Sequence, residues 1–586
     1  SGSDALLVRG DGPGLGQFNV TGILSQPSLD VFNNNRAVVA SNTGWTTGPN
    51  AAIIPAVEAI VGAFNLVPLS ADSALVLSPS AGSYTMQVSG VNSSTGVALA
   101  EVYEVPASVS IVPTPTSTSA GANPTPTPTP TSSGTNPTPT PTPTPTTGSA
   151  PPVVYPLKAS GSGTYLVDQN NRPFFMVGDD AWALITQLSN ADVETYLADR
   201  SSRGFNVLWV AAADNISQSN APRDFAGDAP FDGADFTSED AAYWAHVDYV
   251  IQRAQAYGIT LMLSPAFVGL TSSDGYLNSY GSSSPAVMTA YGAFLGNRYR
   301  NFPNIVWVLG GDADPANSTV YGNLSALATG IKAADPGHLM TFEASRFDNG
   351  LPVASGGLSS LDAWPGPPSW LNLNWVYQTA ATVPSGAASN YARAPFLPPL
   401  LGEDWYELEH SMTGLGLRQE GYGAVLSGAT LGRIFGNNAI WTFNSPNAQT
   451  AGDPSWQSQL GSAGSVGEAN LGALFRSREH WKLVPDANHT VLTAGFQSGS
   501  TLALAARTSD GQSIIAYVPV GQIVTIDLTK IADTSANAWW FNPQTAATTF
   551  IGAFSTTASR NFTPPDSNDW VLVVDALSAN LAAPGR

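Results

Sequence analysis

The sequence contains no cysteine and few basic residues. The absence of thiols excludes disulfides, thiolate metal sites and a cysteine nucleophile. Lys and Arg number 22 against 43 Asp and Glu, which gives a net charge of −21. Because no basic stripe is present, nucleic acid and anionic membranes are poor candidates for partners, and we expect neither. The five histidines include no pair at i, i+4, and we expect neither a metal site nor a cofactor.

Charged residues of both signs make up only 11% of the chain, less than half of the usual share of about 25%. Gly, Ser, Thr and Ala take their place, a pattern typical of secreted bacterial proteins. No apolar run reaches the roughly 18 residues of a membrane-spanning helix. The start, Ser1-Gly2-Ser3, is not a signal peptide, and we interpret it as a processed end. We expect a bacterial monomer that is secreted, periplasmic or on the cell surface, with no membrane partner.

The chain is too long for one domain, and its pattern changes along its length. Residues 1–112 contain short apolar or alternating runs separated by turn residues, which predict an N-terminal β-sandwich accessory module with a more helical segment at 50–64. This module is either a carbohydrate-binding unit or a structural spacer. Residues 113–152 repeat Pro-Thr, which predicts an extended, solvated linker.

Residues 153–490 alternate strand-like and helical runs, which predicts a catalytic (β/α)₈ TIM barrel. The eight strand candidates are 172–180, 205–214, 259–267, 304–312, 338–345, 370–378, 396–404 and 438–444. Residues 491–586 return to alternating strands and predict a C-terminal β-sandwich. Three tryptophans, Trp539, Trp540 and Trp570, are expected to pack at its junction with the barrel.

Two buried strand candidates end in carboxylates. The run PFLPPLLGEDWYE reaches Glu403 after Gly402, and NIVWVLGGD ends in Asp312. Residues just past the strand ends of a barrel converge on one face. Two carboxylates there are the minimum equipment for cleaving a glycosidic bond. Glu343 and Glu407, each a carboxylate at a strand end, remain alternatives for the nucleophile.

Other polar and aromatic side chains follow the predicted strands, as expected of a sugar-binding cleft. We expect substrate contacts from Asp179, Asp180, Trp182, Asp214, Glu343, Tyr377, Gln378, Trp405, Tyr406, Glu407 and Trp441, and Arg346 is a further candidate. Any one aspartate at a barrel rim can instead cap a helix or bind Arg. Trp209, Trp307 and Trp441 are also candidates for the barrel core.

Several stretches resemble the apiosidase-like glycoside hydrolases of family GH140 and its relatives, which carry a collagen-binding-type C-terminal domain. These include PFFMVGDDAW, NFPNIVWVLGGDADP, PLLGEDWYE and LRQEGYGAVLSGATLGRIFGNNAIWTF, and the resemblance covers about residues 155–580. It implies that Asp312 is the acid/base and Glu403 the nucleophile of a retaining enzyme. The chain departs from the family pattern at Asp180, where relatives often have Thr, and at Glu343, where many have His.

The sequence therefore predicts a secreted, retaining glycoside hydrolase that acts on a plant or microbial polysaccharide or oligosaccharide. The alternative is a binding or adhesion protein whose barrel is catalytically silent and whose sandwiches hold polysaccharide or matrix. Release of product from a polysaccharide separates the two.

Overall fold

The computed structural model describes residues 5–18, 20–33, 38–45, 54–61, 63–64, 66, 70–77, 84–91, 94–105, 153–215, 221–270, 275–345, 347–348, 351–352, 358–444 and 452–586. The chain divides into two compact units, residues 1–141 and 142–586. The predicted linker, residues 113–152, lies outside the described residues. None of the helices in the described ranges is long and apolar enough to cross a lipid bilayer.

The N-terminal unit is a β-sandwich of two antiparallel three-stranded sheets. One has the order Ser73–Leu77, Ala5–Asp11, Leu99–Val105, and the other Val38–Asn42, Pro27–Asn33, Tyr84–Gly90. Val8 of the first sheet and Leu29 of the second share one buried cluster, so the sheets pack face to face. The helix Ile54–Val61 covers the outer face of the first sheet, which confirms the helical segment predicted there.

The second unit contains an eight-stranded parallel barrel, which confirms the predicted fold. Its strands are β1 (Met176–Asp180), β2 (Val207–Ala211), β3 (Thr260–Ser264), β4 (Ile305–Ala313), β5 (Met340–Ala344), β6 (Asn374–Tyr377), β7 (Pro399–Glu403) and β8 (Gly432–Phe435). β8 pairs with β1, and the N–H of Asn372 closes the ring by donating to the Met340 carbonyl. A small sheet of Lys158–Ala159, Leu166–Val167 and Pro173–Phe174 packs against the inside of the barrel.

Helices surround the barrel. Strands β1 to β7 lie inside the predicted ranges, except that β4 extends one residue further, to Ala313. The longer ones are α1 (Asn190–Ser202), α2 (Ala241–Ala256), α3 (Pro285–Tyr299), α4 (Ser318–Ala334), α5 (Val383–Tyr391), α6 (Gly414–Ser427) and α7 (Ala463–Arg476). Single turns or short helices form at Leu184–Gln187, Leu277–Ser282, Ser360–Ala363, Asn438–Trp441 and Trp456–Gln459. Each long helix packs an apolar face on the strands.

The prediction of the eighth strand at 438–444 is wrong. The strand is Gly432–Phe435, and Asn438–Trp441 is a helical turn. The side chain of Asn437 accepts a hydrogen bond from the N–H of Ala439 and starts that turn. The true strand was hidden because Arg433 interrupts its apolar pattern, although the arginine is buried and ion-paired.

The C-terminal domain is the predicted antiparallel β-sandwich. Its larger sheet has the order Leu483–Pro485, Leu504–Thr508, Ser513–Val518, Trp570–Ala576, Ser535–Phe541, Thr548–Ser555, and its smaller one Leu492–Ala494, Val524–Asp527, Ser559–Phe562. The central strands of the larger sheet, Ser513–Val518 and Trp570–Ala576, are buried on both faces. One face packs on the smaller sheet and the other on α6 and α7 of the barrel.

One hydrophobic cluster joins the barrel to the sandwich. Tyr422 of α6 stacks on Tyr517 of the large sheet, with ring centroids 4.7 Å apart and planes 7° from parallel. Trp539 borders this cluster, as predicted. The prediction is wrong for Trp540 and Trp570, which pack inside the sandwich. Adjacent strand residues face opposite sides of a sheet, so Trp539 and Trp540 cannot both reach the junction.

Candidate active site

Two glycines shape the end of β4. A Cβ atom on Gly310 would lie 2.0 Å from the Glu343 carbonyl oxygen, and one on Gly311 would lie 2.6 Å from the Phe267 ring. Both glycines have positive φ, and the register of β4 with β5 shifts between Gly310 and Ala313. Asp312 follows in the left-handed region, with φ of 53°, and its side chain is half-buried. A non-glycine residue held there is typical of functional sites.

The carboxylate of Glu343 fixes this bulge from the neighbouring strand. Its Oε2 accepts a hydrogen bond from the backbone N–H of Asp312, and the carboxyl group accepts another from the N–H of Gly311. Oε1 is buried and has no hydrogen-bond partner within the described part of the chain. Burial and the charge of Asp312 raise the pKa of Glu343 well above its ordinary value. Glu343 therefore lies directly behind Asp312 and supports it.

The end of β7 presents Glu403 across the barrel. Gly402 lets the Trp375 ring fill the barrel interior, since a Cβ there would lie 2.1 Å from that ring. Glu403 itself is half-buried and accepts a hydrogen bond from the Tyr377 hydroxyl. Of the neighbouring charges, that of Asp312 acts most strongly on Glu403. The structure thus brings the two predicted catalytic carboxyls together.

Tyr406 links Glu403 to Asp180 at the end of β1. Its hydroxyl oxygen lies 3.0 Å from Glu403 Oε1 and within hydrogen-bond distance of Asp180 Oδ2. Gly436 leaves room for the Tyr406 ring, because a Cβ there would lie 2.3 Å from it. Asp180 and Tyr406 are 226 positions apart in sequence, and no sequence pattern predicts that they meet.

The inward carboxyls raise one another's pKa. Burial is the largest cause for Glu403, followed by the charges of Asp312, Glu343 and Asp180, and its pKa lies well above the ordinary value. Burial also raises the pKa of Asp180, to about 8. Because burial and mutual repulsion raise the pKa values of Glu343, Glu403 and Asp180, these three groups do not all carry a negative charge near neutral pH. No group of three or more His, Asp or Glu among the described residues is arranged to hold a metal ion.

Aromatic side chains surround this cluster. Trp182 donates its indole N–H to Asp214 Oδ2 at 3.1 Å and packs edge-on against Phe267. Both Trp182 and Asp214 are buried, so they support the cleft from below. Trp441 is half-buried with its ring edge-on to that of Tyr406. Trp405 is half-buried next to the exposed His410.

Three predicted contact residues point away from the cluster. Asp179 turns outward from β1 and pairs with Arg200 of α1 at 3.0 Å. Gln378 packs against Gly386 of α5. Glu407 accepts the backbone N–H of Gly464 at 3.0 Å in the first turn of α7. These three side chains contact the helices outside the barrel, and their positions do not support the predicted substrate contacts.

Two of the tryptophans proposed for the barrel core lie on different sides of the barrel strands. Trp209 lies in the barrel interior, and Trp307 packs between strands and helices, where its indole N–H donates to Asp335. The predicted contact from Arg346 lies outside the described residues.

A family model described as "Apiosidase-like, catalytic domain" matches residues 160–482, more than half of the chain. The chain belongs to the apiosidase-like family. A second model, "Putative collagen-binding domain of a collagenase", matches residues 484–575 and so coincides with the C-terminal sandwich of this apiosidase-like protein. The resemblance predicted from the sequence motifs is confirmed at this level.

Solved structures agree with the family. A glycoside hydrolase is 26% identical to this apiosidase-like chain, with a TM-score of 0.62, and the match covers 72% of this chain and 97% of the other. A family 5 glycoside hydrolase from Bacteroides vulgatus is 24% identical, also with a TM-score of 0.62, covering 72% and 94%, and at this identity it supports the fold alone. No curated protein matches the sequence. The barrel is therefore a glycoside-hydrolase-like domain.

Proposed function

We propose that this protein is a secreted, retaining glycoside hydrolase that acts on a plant or microbial polysaccharide or oligosaccharide. The observation that carries the proposal is the pair of half-buried carboxyls, Asp312 and Glu403, which lie at the ends of β4 and β7, where the charge of Asp312 raises the pKa of Glu403. Around them lie aromatic rings on which a sugar can stack. Membership of GH140 itself is part of the proposal.

Glu403 serves as the nucleophile. Its Oε2 or Oε1 attacks the anomeric carbon, the glycosidic C–O bond breaks, and a covalent glycosyl-enzyme forms. The Tyr377 and Tyr406 hydroxyls hold the carboxylate in place for this attack. Burial raises the pKa of Glu403, and the hydrogen bonds donated by the two hydroxyls act against this rise by stabilising the ionised form.

Asp312 serves as the acid/base. It protonates the leaving oxygen in the first step and takes a proton from the attacking water in the second. The Gly310–Gly311 bulge and the Glu343 carboxylate fix the backbone that carries it. A retaining enzyme needs its two carboxyls about 5–5.5 Å apart, and we predict that spacing for Asp312 and Glu403.

The domain boundaries predicted from the sequence complete the proposal. Residues 153–490 and 491–586 act together as the catalytic unit, and residues 113–152 tether it to the N-terminal module. Secretion, a monomeric state and the absence of nucleic-acid and membrane partners remain predictions.

A reducing-sugar assay over a panel of polysaccharides and aryl glycosides tests the proposal. Wild-type protein should release sugar from at least one member, and Asp312→Asn should be slowed most on substrates with poor leaving groups, because these need protonation most. Binding of a panel member without any product would instead support the adhesion alternative. Equal slowing on good and poor leaving groups would contradict the role of Asp312.

A further inference from the structure

The Tyr406 hydroxyl lies between two carboxyl groups but has only one hydrogen. Its oxygen is within hydrogen-bond distance of Asp180 Oδ2 and 3.0 Å from Glu403 Oε1. It can therefore donate to one of these carboxyls but not to both. If both were ionised, one carboxylate oxygen would face the phenol oxygen with no hydrogen between them, a costly contact in a buried site. The arrangement requires a second hydrogen, on either Asp180 or Glu403.

Burial raises the pKa of both carboxyls, and the difference in their solvent exposure assigns the hydrogen to Asp180. The residue is 2% exposed, whereas Glu403 is half-buried, and a carboxylate costs more free energy the further it lies from water. Glu403 also accepts a hydrogen bond from Tyr377, which stabilises its charged form. The other oxygen of Asp180 accepts the backbone N–H of Trp182 at 3.0 Å, which leaves Oδ2 to carry the proton.

The charges around Asp180 favour the same assignment. The titratable groups that act on it come from its own strand, from α1, from β5 and from β7 with the loop beyond, and they are Asp179, Tyr196, Glu343, Glu403 and Tyr406. Each of them is an acid or a phenol, so each either repels a carboxylate or is neutral. Burial, together with the charge of Asp179, raises the pKa of Asp180 to about 8.

We propose that Asp180 is a positioning residue that works as a neutral carboxylic acid, donating its hydrogen to Tyr406 so that Tyr406 donates to Glu403. This inference rests on the proposed role of Glu403 as the nucleophile. The relay directs the single hydrogen of the Tyr406 hydroxyl to the reacting carboxylate and so favours the ionised form of Glu403. When Asp180 releases its proton to solvent at alkaline pH, Tyr406 turns its hydrogen to Asp180 and withdraws it from Glu403.

Infrared difference spectroscopy on the substrate-free protein tests the proton directly. At about pH 6, the spectrum of Asp180→Asn should lack a carbonyl stretch that the wild type shows. This band should have the frequency of a protonated carboxyl group and should shift in D₂O. Glu194→Gln is the matched control, because Glu194 is paired with Arg253 and its pKa is lowered. That variant should lose only a carboxylate band. A carboxylate band lost from Asp180→Asn at this pH would overturn the proposal, whether or not the protein is a hydrolase.

Kinetics on whichever panel glycoside is turned over test the relay. Asp180→Ala removes the group that donates to Tyr406. We expect kcat to fall about 10- to 100-fold with little change in KM, because the Tyr406 hydroxyl is then no longer oriented toward Glu403. Asp180→Asn should rescue most of that loss, because its amide N–H also donates to Tyr406. Its rate should also hold to higher pH than that of wild type. Failure of Asn to rescue, at unchanged melting temperature, would contradict the relay.

Discussion

Acidic side chains on the inner and outer faces of the barrel strands have different partners. At the end of β1, Asp179 faces outward and pairs with Arg200 at 3.0 Å. Its neighbour Asp180 faces inward, where it makes hydrogen bonds with the Tyr406 hydroxyl and the backbone N–H of Trp182. Burial raises both pKa values, but the arginine limits the rise to about 6 for Asp179, against about 8 for Asp180. The two carboxyls are adjacent in sequence and differ in what they face.

The end of β7 repeats this contrast. Glu403 faces inward among acids and phenols, and its pKa is raised well above the ordinary value. The next residue, Asp404, faces outward and pairs with the buried Arg433 at 2.6 Å, and its pKa rises only to about 6. A guanidinium stabilises the charge of each outward acid, whereas the inward acids share protons among themselves. The inward acids therefore surround the proposed active site, and the outward acids stabilise the contact between the barrel and its surroundings through ion pairs.

The largest effect is expected from removing the inward charge at β7. Glu403→Gln should lower turnover by at least about 10⁴-fold, because it removes the nucleophile, without lowering the melting temperature. Glu407→Gln is the matched control: the same chemical change, four residues on, at a side chain that faces α7, should keep turnover within about 10-fold. Near-normal activity in Glu403→Gln, or its loss in Glu407→Gln, would break the comparison.

Removing the sandwich that covers the outer face should prevent stable folding. The larger sheet buries apolar surface of α6 and α7, and two buried ion pairs cross the junction, Arg418–Asp569 at 2.7 Å and Arg478–Asp575 at 2.7 Å. A fragment of residues 153–490 would expose that surface and leave both arginines unpaired. We expect it to be insoluble, whereas residues 153–586 should melt cooperatively. A soluble 153–490 fragment with the same melting temperature would contradict this.

Breaking an outward ion pair should cost stability rather than activity. Arg433→Met leaves Asp404, and the nearby Glu420 and Glu468 at 3.5 and 3.6 Å, without their buried cation. We expect a loss of about 3–5 kcal/mol in the free energy of unfolding. At temperatures where the variant is folded, kcat should stay close to that of wild type. A fall in kcat without a fall in the melting temperature would place Arg433 in the chemistry.

A smaller, pH-dependent effect should come from Asp180. The folded protein keeps its proton up to about pH 8, whereas the unfolded chain releases it near the ordinary value of 3.8. Between those values the folded state binds more protons, so wild-type stability falls as pH rises through this window. Asp180→Asn has no such proton and should gain, relative to wild type, on the order of a few kcal/mol by about pH 8. A constant difference in melting temperature from pH 4 to 8 would contradict this.

The sequence was sufficient to predict the barrel and to identify the residues at the ends of its strands. Seven strands, the family and the meeting of Asp312 with Glu403 could be predicted, because apolar runs that end in polar residues mark the mouth of a barrel. Gly402 and the Gly310–Gly311 pair were part of that signal, and the structure explains them by the rings and carbonyl they must clear.

The direction of each side chain could not be predicted. Positions 179 and 180 are both aspartate, and which of the two faces the barrel interior depends on how the strand β1 is oriented at its end. The eighth strand was missed because its arginine is neutralised by acids far away in sequence. Both the direction of these side chains and the position of the eighth strand depend on contacts between residues that are far apart in the chain. Such contacts cannot be predicted from a single sequence.

The most direct test of the account is to find the residue that becomes covalently glycosylated. In Asp312→Ala the second step is slowed, so turnover of an aryl glycoside with a good leaving group should accumulate the glycosyl-enzyme. Peptide mass mapping of the quenched variant should place the sugar on Glu403. A sugar on Glu343 or Glu407 would contradict the assignment, and inverted product without any adduct would contradict the double displacement.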